Sequence, residues 1–184
     1  MIVNKKLIYY LVFFHCSIIA ISNYLVQFPI NLFGYDFTIA TFTFPFIILA
    51  TDLTVRLSSA LTARKIITYS FIPAFFISFY FADFRIAIAS VSAYGFGQIL
   101  DIFVFSKVQR DFKDDGFSMN SYWFIAPILS TFYAQILDTY LFYGIAFYNS
   151  SDEFMRENWV NIANNDLIFK LLVCYLAFLP IYVL

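Results

Sequence analysis

Apolar residues run through this chain in long blocks separated by short polar stretches. A membrane-spanning helix needs about 20 mostly apolar residues. Six blocks reach that length: Leu7–Gln27, Phe37–Val55, Ile66–Ala82, Ile86–Phe105, Trp123–Phe147 and Leu167–Leu184. The breaks between them carry turn chemistry. "FPINLFGYD" (Phe28–Asp36) supplies Pro, Asn and Gly between the first two, and "ADFR" (Ala82–Arg85) links the third and fourth. The pattern predicts an all-α integral membrane protein with six transmembrane helices, forming one domain over residues 1–184.

Cations give the direction. Lys5, Lys6, Arg56, Arg64, Lys65, Lys107, Arg110 and Lys113 fall on one set of ends, while Arg85 and Arg156 alone fall on the other. The positive-inside rule then places both termini in the cytoplasm. Lys5 and Lys6 before an apolar core also suit a signal peptide. The apolar character, however, continues through Leu25, Val26 and Phe28, so the block is read as the first span.

The connection "NSSDEFMRENWVNIANND" (Asn149–Asp166) differs from the rest. Ser150 with Glu153 three residues later has the spacing of a capping box. Phe154, Met155, Trp159 and Ile162 follow near helical spacing. A short amphipathic helix on the outer surface is expected between the fifth and sixth spans, as an interfacial anchor or as a lid.

Composition supports this reading. With 62% hydrophobic and 12% charged residues, the chain cannot cover a water-facing surface. The bilayer is therefore an expected partner. The net charge of −1 does not itself speak about nucleic acid, and none is expected as a partner. Cys16 and Cys174 lie in apolar runs and suit buried thiols better than a disulfide framework or a zinc site. No nucleotide-binding lysine loop, HExxH, GxSxG or paired CxxC is present, so neither enzyme activity, cofactor nor metal is expected.

Polar groups inside the spans are the candidate chemistry, because hydrocarbon penalises each by a few kcal/mol unless it faces the protein interior or a cavity. The first span holds His15, Asn23 and Gln27 on one face. The second holds Asp52 and Arg56. "QILD" occurs twice, giving Gln98 with Asp101 and Gln135 with Asp138. Asp166 and Lys170 open the sixth. Each pair is three or four residues apart and makes one polar spot. By depth, Asp52 and Asp101 belong to the cytoplasmic half, Asp138 to the middle, and Asp166 with Lys170 to the outer mouth. Structural readings compete: Asp52 with Arg56 and Asp166 with Lys170 could each neutralise within their own helix, and His15 could be a packed core residue. Gly95 and Gly97 thin the fourth span beside its polar spot. Pro45, Pro73, Pro127 and Pro180 are expected to interrupt their helices.

The runs "SNYLVQFP" (Ser22–Pro29), "FPFIILATDLTVR" (Phe44–Arg56), "GQILDIFVF" (Gly97–Phe105), "ILDTYLFYGIAFY" (Ile136–Tyr148) and "NDLIFKLL" (Asn165–Leu172) resemble the queuosine precursor transporter family, also called the vitamin uptake transporter family. The resemblance covers nearly the whole chain. It implies a multi-pass importer of the bacterial inner membrane that takes up 7-deazaguanine bases: the 7-cyano or 7-aminomethyl form, or queuine. The family's motif positions match at Asn23, Gln27, Asp52, Arg56, Gln98, Asp101, Asp138 and Lys170. Gln135 stands where a smaller amide is expected. The "ADFR" link is shorter than usual for the family.

A flat, purine-like small molecule suits such groups. A carboxylate accepts two donors from a guanine-type edge, amides meet the carbonyl and ring nitrogen, and Phe or Tyr stacks on the ring. One QILD aspartate is expected to meet the base and the other to bind a cation or shuttle protons, with the assignment open. The alternative is a membrane substrate-binding subunit of an ATPase-driven importer, which needs an ATPase partner. An intramembrane aspartyl protease using Asp101 and Asp138 would need both carboxylates at one depth, which the span positions oppose. A six-helix carrier is small for alternating access, and this admits a homodimer.

Overall fold

The computed structural model describes residues 5–43, 46, 60–114 and 125–178, and these are largely helical. The chain divides into two compact units, Met1–Val91 and Ser92–Leu184. The first contains helix α1 (Lys5–Leu25), a hairpin of β1 (Pro29–Leu32) and β2 (Tyr35–Thr38), a 3-10 turn (Ile39–Thr43) and helix α2 (Ala60–Phe81). Helix α3 (Phe84–Asp114) begins in the first unit and continues in the second. The second unit adds α4 (Ile125–Phe147), α5 (Glu153–Val173) and a π-helical turn (Cys174–Phe178).

In the first unit α1 packs along α2. Leu11, His15, Ile19 and Asn23 recur every fourth residue on α1, and Ile66, Ser70, Ala74 and Ser78 do so on α2; all are buried. Rows at that spacing form the ridges through which helices pack. Small side chains on α2 let the two backbones approach closely. Cys16 and Ile19 meet Ala74 and Phe71, and Asn23 Nδ2 donates to Ser78 Oγ at 2.9 Å. Early residues meet early and late meet late, so α1 and α2 lie parallel.

The segment after α1 departs from the sequence expectation. Phe37 and Thr38 belong to β2, paired with Ile30 and Pro29 of β1, and Ile39–Thr43 form the 3-10 turn. The expected second span, Phe37–Val55, therefore does not begin as an α-helix. Its later part, Phe46 apart, lies outside the described residues. The hairpin closes through Phe33 and Gly34, with φ of 55° and 84°. Positive φ at both central residues is what a type I′ turn requires. Asn31 Oδ1 accepts from Gly34 N at 3.2 Å, and Asn31 Nδ2 donates to Asp36 Oδ1 at 2.7 Å. The 3-10 turn is tied back to α1. Thr43 Oγ1 donates to Ala40 O at 2.7 Å, so Ser22 Oγ is left to donate to Thr43 Oγ1 at 2.6 Å.

The other helices follow the expected spans with shifted ends. Asp83 starts α3, accepting from Arg85 N at 2.8 Å. The prolines interrupt less than expected. Helix α2 runs through Pro73, and Pro127 falls in the first turn of α4, where a missing N–H costs nothing. Pro45 and Pro180 lie outside the described residues.

A second correction concerns α5. The expected short outer-surface helix and the start of the expected sixth span, Leu167–Leu184, are one continuous helix from Glu153 to Val173, and the span beyond Phe178 lies outside the described residues. The cap of this helix is Asp152, whose Oδ1 accepts from Met155 N at 3.0 Å, rather than Ser150. Asn149, with φ of 54°, closes the end of α4 in the left-handed conformation that Asn tolerates. The short link folds α4 and α5 into an antiparallel pair. Tyr175 donates to Ile128 O at 3.1 Å at one end. At the other end Gly144 lies against Trp159, whose ring is 3.9 Å from where a Cβ would stand. Among the described residues one helix, Lys6–Leu25, is long and apolar enough to cross a membrane by length and composition; Thr68–Phe81 is a shorter apolar helix.

Candidate functional site

The second unit brings three charged residues of α4 and α5 together. Lys170, on α5, reaches Asp166 Oδ2 at 2.8 Å and Asp138 Oδ2 on α4 at 3.9 Å. It also donates to Thr139 Oγ1 at 3.4 Å. Of these, Asp166 and Thr139 lie within hydrogen-bond length of the ammonium, and Asp138 is held by charge alone across the longer distance. The Asp166 side chain is 3% exposed and that of Lys170 12%, while Asp138 keeps 30%. Asp166 is thus sealed into a close pair, and Asp138 is the looser, more accessible carboxylate.

The neighbourhood of Asp138 is shaped by α3. A Cβ on Gly97 would stand 3.5 Å from Asp138 Cβ and 3.8 Å from its Oδ1. The glycine preceding the first QILD therefore lies against the aspartate ending the second. Three residues before Asp138 on the same helix, Gln135 Oε1 is buried and has no hydrogen-bond partner among the described residues. Residues three apart share a helix face. A buried acceptor without a donor is costly, so this spot is incomplete as it stands. Nearby, Tyr140 donates to Asn164 Oδ1 and ties α4 to α5 again.

The sequence-expected residues divide as follows. Asp138 and Lys170 come together in the second unit, with Gln135 three residues before Asp138 on the same helix. Lys170 was expected at an outer mouth, apart from Asp138. The unbroken α5 carries it further along the helix and into contact. Asn23 and Gln27 belong to the first unit. Asn23 is buried and committed to Ser78, and Gln27 Nε2, just past the end of α1, donates back to Tyr24 O at 3.0 Å. Gln98 and Asp101 occupy positions on α3. Asp52 and Arg56 lie outside the described residues. Asp166, expected as the four-residue neighbour of Lys170, is its close partner, and Thr139, which sequence reasoning missed, was signalled only by adjacency to Asp138. Among the described residues no group of three or more His, Cys, Asp or Glu could hold a metal.

The chain is similar to membrane-transport proteins. The family model described as "Putative vitamin uptake transporter" matches residues 79–184. A protein of Escherichia coli (strain K12) named "Queuosine precursor transporter" is 41% identical, over 96% of this chain and 85% of its own length. One of Haemophilus influenzae named "Probable queuosine precursor transporter" is 39% identical, over 97% of this chain and 86% of its own length. No solved structure matches.

Proposed function

The chain belongs to the vitamin uptake transporter family, and from that premise we propose that it imports a queuosine precursor, a 7-deazaguanine base, across the bacterial inner membrane. Its named relatives are transporters rather than enzymes, so the polar cluster is read as a docking place and not as a catalytic one. The observation that carries the reading is the buried, unpartnered Oε1 of Gln135 beside the loosely held carboxylate of Asp138. Together they offer acceptors on one helix face. A guanine-type edge presents N–H donors side by side, and donors to a carboxylate make the stronger, charge-assisted bonds. A base lacking that edge would leave the acceptors unpaired, at about 1–3 kcal/mol each, and this gives discrimination.

The same reading sets the chain in the bilayer with both termini in the cytoplasm. The parallel packing of α1 and α2 is what two helices crossing a bilayer in the same direction would give. The outward faces of these helices carry Tyr9, Phe13, Tyr69, Phe76 and Tyr80, all exposed, a surface suited to acyl chains and headgroups.

The test is uptake of labelled 7-deazaguanine bases in a strain lacking both its own importer and the biosynthetic route. Wild type is expected to restore uptake, and Asp138→Asn at equal membrane abundance to reduce it. Wild type that imports none of these bases, while other metabolites enter, overturns the assignment.

A further inference from the structure

The ion cluster does not balance. Among the described residues Asp138 and Asp166 face one cation, Lys170. Asp166 takes it at 2.8 Å; Asp138, at 3.9 Å, is beyond hydrogen-bond length. Paired this way, Lys170 and Asp166 cancel, and Asp138 keeps one negative charge in surroundings that penalise it. Its Oδ2 is turned to Lys170. Its other oxygen, Oδ1, lies toward Gly97, 3.8 Å from where a Cβ would stand. Among the described residues the facing groups are Lys170 and Asp166 from α5, with Cys174 a turn beyond, and Gly97 from α3. Gln135 Oε1, a second acceptor without a donor, completes the spot.

We propose that Asp138 Oδ1 receives one unit of positive charge in each transport cycle, delivered either as a proton or as an ammonium group carried by the transported base. The shared chemistry is a positively charged hydrogen donor to a carboxylate. A metal cation is disfavoured, because it wants more oxygen ligands than Asp138 and Gln135 provide. In the proton case the O–H bond forms on the side where protons are abundant and breaks on the other, and the base travels with it. The proposal rests on the transport reading above.

Full-length protein in proteoliposomes separates the two sources. The substrates are a neutral 7-deazaguanine bearing a nitrile and the same base bearing an aminomethyl group. For proton delivery, accumulation of the neutral base rises with an imposed gradient, by about tenfold per pH unit at one proton per base, and Asp138→Asn abolishes the response. For ammonium delivery, wild type prefers the aminomethyl base and Asp138→Asn erases the preference. Asp166→Asn provides the second variant. It frees Lys170 to balance Asp138, and is expected to remove the same response with the Asp138 side chain intact. The proposal falls if wild type shows neither response nor preference, or if both variants retain what wild type shows. Infrared difference spectra on ligand-free protein separate the charge question from substrate identity. A carboxylic-acid band that appears on acidification and is missing in Asp138→Asn supports the proton case even if wild type carries neither base. Absence of the band together with absence of an aminomethyl preference overturns the proposal while leaving transport intact.

Discussion

At the scale of single residues, Lys170 and Gly97 have the clearest consequences. Replacing Lys170 with Met strips Asp166 of its partner inside a nearly sealed site. Removing one member of a buried pair typically costs about 3–5 kcal/mol. Lys170→Met is therefore expected to unfold at markedly lower temperature in detergent and to lose membrane abundance. An unchanged unfolding temperature would show that the pair is not structural. Gly97 makes a graded prediction. A Cβ there meets Asp138 Cβ at 3.5 Å, an ordinary contact. Gly97→Ala should keep near-normal uptake, whereas Gly97→Leu should fill the space beside Asp138 and lower uptake at least tenfold at equal abundance. Equal uptake by both would mean the space is not used. The sequence made Asp138 and Lys170 visible as charges in apolar runs, and Gly97 as a thin point. It could not join them, because contact between α4 and α5 depends on where α5 begins.

Secondary-structure elements explain that limit. "NSSDEFMRENWVNIANND" is polar enough to look like an exterior connection, yet its backbone continues as helix from the Asp152 cap. Most of its polar residues stay exposed along that helix, and what ties it to α4 is local: Asn164 accepts from Tyr140, and Trp159 lies against Gly144. The hairpin was hidden for a different reason. A type I′ loop favours Asn or Gly at its first position, and Phe33 stands there, fully exposed. Phe at positive φ costs about 1–2 kcal/mol. Phe33→Asn is accordingly expected to raise, or at least not lower, the unfolding temperature in detergent; a large decrease would show that the ring itself packs. The α1–α2 pair was legible as two spans, but its parallel contact was not, since it rests on the small row Ser70, Ala74, Ser78. Ala74→Leu should overpack that row and cost about 1–3 kcal/mol in unfolding measurements, with the relative uptake of different bases unchanged.

For the molecule as a whole, the prediction concerns sidedness. The proposed orientation, with both termini in the cytoplasm, predicts that Ser151→Cys, in the link between α4 and α5, reacts with a membrane-impermeant thiol reagent in intact cells. Lys107→Cys, near the end of α3, should react only after permeabilisation. The reverse pattern would invert the orientation and, with it, the direction from which Asp138 is loaded. Helix α5 adds a mechanical corollary. From the Asp152 cap to Lys170 it is unbroken, a distance of about 27 Å at 1.5 Å per residue. Such a rod transmits displacement along its length. An antibody fragment clamped on Glu153–Asn161 would hold the ammonium in place from outside, jamming the carrier without ever touching its cargo.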